Sequence, residues 1–354
     1  MNNIPTNLLR IIDANINRTG EGLRVLEEVS RLLLNDSAVT QQLKDMRHQL
    51  VNTGYDLQVQ LLSSRDAAGD VGSAMDVTGE EKTRDTSEII IANSRRVQES
   101  LRVLEELAKT PGLGLDSEVF RRARFALYTI EKDLLGRIIR LDKAKKINGL
   151  YVVIDTEWLK GRNPVDLALQ AIAGGARAIQ LRCKTGPERD FLAIAIELKA
   201  VCLARDTPFI INDNLGVALA SGADGLHIGQ DDLPAAAVRK LQPIDMVLGV
   251  SAHTEEEALK AVAEGADYLG VGAVFSTATK DSAAIGLDAL KTIKKAAAVP
   301  VIAIGGINKY NLSSVMETGV EGVAVISAVL GAEDVKRAAA QLSDIIREKQ
   351  HDKP

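Results

Sequence analysis

The chain has 354 residues, of which 46% are hydrophobic and 26% charged, and its formal net charge is −5. This composition is typical of a globular protein with a large core, and it lacks the basic excess that binding to nucleic-acid phosphates needs. No apolar run reaches 18 residues, and the first residues lack the pattern of a secretion signal, so we expect a cytoplasmic protein without membrane or nucleic-acid partners. Cys183 and Cys202 have no metal-ligand spacing, and we expect both to be reduced and structural.

An internal repeat occupies the first 141 residues. The stretch "ANINRTGEGLRVLEEVSR" from Ala14 aligns with "ANSRRVQESLRVLEELAK" from Ala92, at an offset of 78 positions. A second correspondence, between "MRHQLVNTGYDL" and "ARFALYTIEKDL", follows at an offset of 77. The repeated unit is therefore a pair of helices. Two such pairs packed face to face predict an all-α four-helix bundle over residues 1–141, with approximate twofold symmetry.

The first helix of each copy has an apolar side and a polar side. The positions predicted to be buried are Leu23, Leu26 and Leu33 in one copy and Leu101, Leu104 and Ala108 in the other. The polar positions recur at steps of three and four: Asn17, Glu21, Arg24, Glu28 and Arg31, then Arg95, Glu99, Arg102, Glu106 and Lys109. Two interpretations stay open for this polar side. It is either a solvated surface of ion pairs or one wall of a ligand site beside the long polar loop of residues 63–87.

Beyond Arg140, short apolar strands alternate with helical segments. A short charged linker over residues 142–148 is predicted to precede them. The predicted strands are "GLYVVID", "ARAIQLRCK", "PFIINDN", "ADGLHIGQ", "MVLGVSAHT", "ADYLGVGAVFS", "PVIAIGGI" and "VEGVAVISAV". Eight parallel strands with intervening helices predict an α/β fold, a (β/α)8 TIM barrel over residues 148–349. A doubly wound sheet is the alternative.

Polar residues cluster at the predicted carboxyl ends of these strands, where barrel enzymes place their active sites. Gln180, Arg182 and Lys184 share one side of the second strand, because side chains alternate along a strand. The other candidates are Asn212, Asp213, His227, Gln230, Asp232, Ser251, the segment "STATK" over 276–280, "GGI" after the seventh strand and "VIS" on the eighth.

The chemistry of these candidates indicates a strongly anionic substrate. Arg182, Lys184 and Lys280 suit a pyrophosphate. Two aspartates, Asp213 and Asp232, are hard oxygen ligands that suit Mg²⁺. A second phosphate suits the segments around Gly306 and Ser327. Together they predict group transfer between two phosphorylated substrates with loss of pyrophosphate.

In these motifs the chain resembles the thiamine phosphate synthase family, from about Gly149 to about Ala340, through "QLRCK", "IINDN", "LHIGQDD", "GVSAHT", "STATK", "IGGI" and "VIS". The resemblance implies condensation of 4-amino-2-methyl-5-hydroxymethylpyrimidine diphosphate with 4-methyl-5-(2-phosphoethyl)thiazole, giving thiamine phosphate and pyrophosphate. Two departures from the family pattern are Cys183, at a usually acidic position, and a "GAVFST" segment without the usual prolines. The alternative for the barrel is an isomerase resembling thiazole tautomerase, which needs no pyrophosphate clamp.

The resemblance also implies a role for each site residue. The pyrimidine substrate would be held by Gln180, Leu181, Arg182, Cys183, Lys184, Asn212, Ser251 and Lys280. Mg²⁺ would be held by Asp213 and Asp232, and the thiazole phosphate by Thr277, Ala278, Thr279, Gly306, Ile326 and Ser327. The expected catalytic residues among these are Arg182, Lys184, Ser251 and Lys280.

The helical segment resembles the N-terminal domain that is fused to some thiamine phosphate synthases, through "DANINRTGEGLRVLEE", Arg47-His48 and "RDAAGDVG". That resemblance implies a kinase that uses ATP to phosphorylate hydroxymethylpyrimidine phosphate, which yields the substrate of the barrel. The expected kinase-site residues are Asn17, Arg18, Glu21, Arg24, Arg47, Arg65, Asp66 and Asp70. The alternative is a structural module that dimerises the enzyme, and homo-oligomerisation stays open.

Overall fold

The computed structural model describes residues 4–66, 69–70, 83–277 and 283–351. The chain divides into two compact units, Met1–Ile139 and Arg140–Pro354, which we call the N-terminal unit and the barrel unit. Within the described ranges, no helix combines the length and the apolar character that crossing a bilayer requires.

The N-terminal unit is helical, as its sequence predicts. Helix α1 packs against α2 and α4, and leucines at helical spacing fill the space between them. The helices are α1 (Thr6–Glu28), α2 (Ser37–Val51), α3 (Tyr55–Ser63), α4 (Thr86–Leu107) and α5 (Ser117–Lys146), the last of which extends into the barrel unit.

The two copies of the repeat differ in their second helix. In the first copy this helix is broken between α2 and α3, where Gly54 has a φ of +78° that a glycine adopts far more readily than other residues. In the second copy, α5 continues through the equivalent positions without a break. The prediction of four helices is therefore wrong for the described part of this unit, which contains five.

Leu33 is not buried as predicted. The end of α1 widens into a π-helical turn over Val29–Leu33, which places more residues in a turn than an α-helix and rotates the side chains that follow. Leu33 is therefore 53% exposed, whereas Val29 and Ser30 are buried. The other predicted core positions are fully buried at Leu23, Leu26, Leu101 and Leu104 and packed against the core at Ala108.

The barrel unit is the (β/α)8 barrel that the strand pattern predicts. All eight strands are parallel, each pairs with the next, and β1 pairs with β8 to close the barrel. The strands are β1 (Leu150–Asp155), β2 (Ala176–Arg182), β3 (Phe209–Asn212), β4 (Gly225–Ile228), β5 (Val247–Ala252), β6 (Tyr268–Val271), β7 (Val301–Ile304) and β8 (Gly322–Val325).

Helices alternate with these strands and pack on their outward-facing side chains. They are α6 (Pro164–Ala173), α7 (Glu188–Leu203), α8 (Leu215–Ser221), α9 (Ala235–Leu241), α10 (Glu255–Ala263), α11 (Gly286–Ala296), α12 (Leu312–Met316), α13 (Ser327–Leu330) and α14 (Val335–His351). The large core between helices and strands positions the strand ends, and with them the candidate site.

The segment predicted as a linker instead closes the amino end of the barrel. Residues 142–146 continue α5, and Ala144 and Ile147 are buried against inward-facing side chains such as Tyr151 and Tyr268. Ala144 and Ile147 are three residues apart, so both fall on the same side of the end of α5, and this apolar side packs against the barrel. The linker prediction is therefore wrong. The charged residues of this segment suggested a solvent-exposed connection, but Ala144 and Ile147 between them make a buried apolar contact.

Candidate active site at the carboxyl ends of the strands

A cavity of about 340 Å³ lies at the carboxyl ends of the barrel strands. Its volume is within the range of small-molecule sites. The residues predicted from the sequence that line it are Gln180, Arg182, Lys184, Asn212, Asp213, His227, Gln230, Asp232, Ser251, Thr277, Gly306, Ile326 and Ser327. They follow or end every strand from β2 to β8, so the closed barrel brings residues that are far apart in the chain to one opening.

The guanidinium of Arg182 is held by a carboxylate that the sequence pattern does not single out. Asp155 ends β1, lies opposite Arg182 in the strand register, and is only 1% exposed. Its Oδ2 accepts a hydrogen bond from Nη1 of Arg182, and its Oδ1 accepts one from the backbone N–H of Glu157 at 2.9 Å. A buried carboxylate with both oxygens engaged fixes the arginine side chain, which can then present its remaining N–H groups to the cavity.

Two aspartates line the cavity after adjacent strands. Asp213 follows β3 with a φ of +64°, an uncommon conformation of the kind that clusters at functional sites. Its backbone N–H donates to the carbonyl oxygen of His227 at 2.8 Å, which secures the turn. Oδ2 of Asp232 accepts from the backbone N–H of Gly229 at 2.6 Å. The backbone therefore fixes the turn that carries Asp213, and it holds the carboxylate of Asp232 directly.

These two carboxylates fit the ligand preference of Mg²⁺ for oxygen. No group of three or more His, Cys, Asp or Glu side chains that could hold a metal ion occurs in the described ranges. A magnesium ion at Asp213 and Asp232 would therefore depend on oxygens from water and from a substrate phosphate as well.

A tight approach of two loops forms another part of the cavity wall. Gly306, after β7, has a φ of +66°, and a Cβ at this position would lie 2.7 Å from the carbonyl oxygen of Ser276 in the loop after β6. Only glycine fits both the conformation and the space. Thr277, Ile326 and Ser327 line the cavity together with Gly306.

Five side chains form a hydrogen-bonded chain across the barrel interior. Nε2 of Gln180 donates to the hydroxyl of Tyr151 at 3.0 Å, and the hydroxyls of Tyr151 and Tyr268 are 3.1 Å apart. The Tyr268 hydroxyl lies 3.1 Å from Nδ1 of His227, and Nε2 of His227 lies 3.0 Å from the Ser251 hydroxyl. All five line the cavity. In the sequence, Tyr151 and Tyr268 lie within two separate apolar strand segments. Nothing in the sequence pattern indicates that their hydroxyls are in contact.

Some predicted site residues lie elsewhere. The side chain of Leu181 is fully buried in the core between strands and helices, because alternation turns it away from the barrel interior. The thiol of Cys183 donates to the carbonyl oxygen of Thr185 at 3.1 Å, and Cys183 does not line the cavity. Ala278, Thr279 and Lys280 fall outside the described residues.

Comparisons with known proteins give the family of the chain. The family model described as thiamine monophosphate synthase matches residues 150–329, which run from β1 into α13. A thiamine-phosphate synthase from Prochlorococcus marinus (strain AS9601) is 37% identical over 350 residues, which cover 98% of this chain and 96% of the relative. The chain belongs to the thiamine monophosphate synthase family. It is accordingly a transferase of thiamine biosynthesis.

Other matches within the thiamine monophosphate synthase family are shorter. A thiamine-phosphate synthase from Clostridium tetani is 48% identical over 200 residues, which cover 56% of this chain and 96% of the relative. The structure of thiamine phosphate pyrophosphorylase from Pyrococcus furiosus matches with a TM-score of 0.55 and 42% identity, over 58% of this chain and 98% of its own. The N-terminal unit has a separate match, to the ThiD2 family over residues 10–133.

Outside the thiamine monophosphate synthase barrel, the doubled helix contains the same buried ion cluster twice. In the first copy Glu27 is 4% exposed and contacts Arg24 at 3.0 Å and Arg47 at 2.9 Å. The second copy has the same arrangement at Glu105, which contacts Arg102 at 3.0 Å and Arg124 at 2.8 Å. The sequence alignment pairs the arginines but does not reveal that these glutamates bind them.

The residues predicted for a kinase site fall into separate groups. Arg65 donates two hydrogen bonds to Asp13, at 2.6 and 2.9 Å, so the start of the long loop is tied to the first half of α1. Arg24 and Arg47 instead meet at Glu27, which is 14 positions further along the helix, or roughly 21 Å at 1.5 Å per residue. The remaining predictions are Asn17, Arg18 and Glu21, exposed along α1, with Asp66 and Asp70 beside Arg65 in the chain.

Proposed function

We propose that the barrel unit joins 4-amino-2-methyl-5-hydroxymethylpyrimidine diphosphate to 4-methyl-5-(2-phosphoethyl)thiazole, forming thiamine phosphate and releasing pyrophosphate. One observation supports this reaction above all. Arg182, Lys184 and the two aspartates, Asp213 and Asp232, line the same cavity as the glycine turn at Gly306. A diphosphate leaving group needs the first set of residues, and an isomerase that acts on the thiazole alone does not.

In the proposed reaction, the bond between the pyrimidine CH₂ carbon and the diphosphate oxygen breaks, and the thiazole nitrogen forms a bond to that carbon. Negative charge gathers on the departing pyrophosphate. Arg182, at the end of β2 and held by Asp155, and Lys184, two residues further along, line the cavity and would face this charge. Electrostatic stabilisation of this kind often contributes more to catalysis than any other effect. Lys280 would add a third positive charge.

Mg²⁺ would supply further charge neutralisation when bound, and Asp213 and Asp232 are the residues that would hold it. Ser251 and Gln180 would orient the pyrimidine ring, and Asn212 would bind beside it. Thr277, Gly306, Ile326 and Ser327 would hold the phosphate of the thiazole.

The test of the synthase proposal combines the metal and the product. With both substrates and Mg²⁺, the full chain should form thiamine phosphate, and Asp213→Asn or Asp232→Asn should lose roughly 2–4 kcal/mol of transition-state stabilisation. Pyrophosphate should tighten Mg²⁺ binding in calorimetric titrations of wild type, and less so in either variant. Asp190→Asn, an exposed substitution on α7, is the matched control. Full condensation in excess chelator would contradict the metal assignment.

For the N-terminal unit, we propose that it phosphorylates hydroxymethylpyrimidine phosphate with ATP. The match to the ThiD2 family supports this second activity, as does the ion pair between Arg65, at the start of the long loop, and Asp13 of α1. The competing proposal is a structural module that dimerises the enzyme, in which the arginine clusters only stabilise helix packing.

Two equivalent arginines separate these proposals. Arg24 and Arg102 make the same pair of ion pairs in the two copies of the repeat. If Arg24 belongs to a kinase site, Arg24→Ala should abolish formation of the pyrimidine diphosphate from ATP, and Arg102→Ala should reduce it far less. Equal effects of both variants on phosphorylation and thermal stability would favour the structural module.

A further inference from the structure

The hydrogen-bonded chain from Gln180 to Ser251 has a direction. An amide nitrogen only donates, so Nε2 of Gln180 gives its proton to Tyr151. Tyr151 is buried, so its own proton also needs an acceptor, and its other contact is the Tyr268 oxygen, to which Tyr151 therefore donates. Tyr268 in turn donates to Nδ1 of His227, which leaves His227 protonated on Nε2 and donating to the Ser251 hydroxyl oxygen.

The state of both phenols supports this order. Tyr151 is 2% exposed and Tyr268 is fully buried, and burial raises the pKa of each above its ordinary value. Both hydroxyls therefore keep their protons, and each can act once as a donor and once as an acceptor.

Two glycines provide the space for the chain. Gly249 lies between His227 and Tyr268 in the register of β4, β5 and β6, and a Cβ on Gly249 would overlap the Tyr268 ring. A Cβ on Gly270, in β6, would lie 2.7 Å from Cε1 of His227. Larger residues at either strand position would displace His227 or Tyr268, so the contact between these two side chains depends on both glycines.

We propose that Tyr151, Tyr268 and His227 are positioning residues that set the hydrogen-bonding polarity of the pyrimidine subsite. Through them, Gln180 is left with its carbonyl oxygen Oε1 for a ligand and acts as an acceptor. Ser251 receives its hydrogen bond from His227 and therefore has its own proton to donate. The inference rests on the proposed function, because it concerns the substrate that Gln180 and Ser251 would orient.

This polarity selects an aminopyrimidine over the corresponding oxopyrimidine. An exocyclic amino group can donate to Oε1 of Gln180, whereas a carbonyl oxygen in its place would face another acceptor. Gln180 cannot flip by itself to accommodate the carbonyl, because its Oε1 would then meet the Tyr151 oxygen, whose proton is committed to Tyr268. A flip would require every proton in the chain to reverse.

The resting protein offers the first test, which does not depend on the reaction. In ¹⁵N-histidine NMR spectra of the full chain, His227 should be the neutral tautomer with its proton on Nε2 and a hydrogen-bonded, unprotonated Nδ1. His227→Gln identifies the signal. A proton on Nδ1 would overturn the proposed direction of the chain, whatever reaction the protein catalyses.

The second test measures substrate discrimination. The ratio of kcat/KM for the 4-amino diphosphate to that for its 4-oxo analogue should fall at least tenfold in Tyr151→Phe and in Tyr268→Phe, which free the Gln180 amide to flip. Tyr310→Phe, at a side chain that is 86% exposed, should leave the ratio unchanged. An equal loss of activity toward both substrates, with the ratio preserved, would overturn the proposal. Absence of condensation in wild type would instead refute the proposed function.

Discussion

Single residues hold the site in place through partners that are themselves buried. Asp155 is not among the residues that line the cavity, and yet it carries the charge that orients the Arg182 guanidinium. Burying a carboxylate costs desolvation free energy, which its ion pair with an arginine offsets. Removing the carboxylate would leave the arginine charge without a partner. The arrangement would link Asp155, outside the cavity, to the proposed binding of a diphosphate by Arg182.

Asp155→Asn tests this link. Asparagine keeps the shape and the hydrogen bond to Glu157 but removes the charge that holds Arg182. We expect kcat/KM for condensation to fall by roughly tenfold to a hundredfold, by analogy with the range found for residues that orient the side-chain ligands of a metal ion. Steady-state kinetics with the pyrimidine diphosphate measure the effect, and Glu157→Gln is the control. A variant that folds and keeps the full rate would show that Arg182 needs no such partner.

The two cysteines differ in environment, and their reactivity should differ too. Burial raises the pKa of the Cys202 thiol to about 12, and Cys202, on α7, is fully buried in the core between helices and strands. A protonated and inaccessible thiol is unreactive at neutral pH, whereas Cys183 is partly accessible. Titration with a thiol reagent should detect one group in the native protein and two after denaturation. Cys183→Ser should abolish the native signal, and a remaining native signal would contradict the assignment.

At the scale of elements, the end of α5 from Arg140 onward is part of the barrel unit and makes polar and apolar contacts with it. Arg140 is 8% exposed and donates to Asp267 at 3.0 Å, and Lys143 donates to Asp245 at 2.8 Å. Together with the buried Ala144 and Ile147, these contacts make the last turns of α5 the cover of the amino end.

Two truncated chains measure the contribution of this cover. A chain that starts at Ile139 retains Arg140, Lys143 and Ala144, whereas one that starts at Lys145 loses all three. We expect the shorter chain to be less stable by about 2 kcal/mol, which corresponds to a lower Tm by roughly 4–8 °C for a unit of this size. Thermal unfolding followed by circular dichroism tests this. Equal Tm values would restore the view of residues 142–148 as a linker.

The sequence predicts elements better than it predicts how they meet. Strands of a parallel barrel are short apolar runs between turns, and all eight are visible in the sequence. The π-helical turn that exposes Leu33 is not visible, since it changes the register of a helix without changing its residue types. Contacts between Tyr151 and Tyr268, 117 residues apart, also follow only from closure of the barrel. The polar residues that line the cavity can be predicted from the sequence, because they lie at the ends of recognisable strands. The buried residues that hold them, such as Asp155 and Tyr268, can be identified only from the folded structure.

At the scale of the whole molecule, two compact units share one chain, and each has its own family match. Full-length relatives such as the one from Prochlorococcus marinus have both units. The thiamine-phosphate synthase from Clostridium tetani matches over 200 residues, more than the N-terminal unit of Met1–Ile139 contains. That match must therefore include a part of the barrel unit. This pattern supports placing the proposed condensation in the barrel unit.

A division of labour follows from the two proposals and can be measured. Given ATP, the pyrimidine monophosphate and the thiazole phosphate, the full chain should form thiamine phosphate. The chain that starts at Ile139 should form it from the pyrimidine diphosphate at a similar rate but not from the monophosphate with ATP. Chromatography of the products distinguishes the cases. Formation of product from the monophosphate by the shorter chain would remove the need for a kinase in the N-terminal unit.

The closed amino end of the barrel also determines by which opening substrates and products would reach and leave the site. Ala144, Ile147, Tyr151 and Tyr268 fill the amino end of the barrel. Reactants would therefore enter, and products leave, by the carboxyl end, where the cavity opens. Released pyrophosphate would therefore depart past Arg182 and Lys184, the groups that the next pyrimidine diphosphate requires. In product-inhibition experiments, pyrophosphate should compete with that substrate. The flux through the enzyme in a cell would then depend on how quickly other enzymes hydrolyse pyrophosphate.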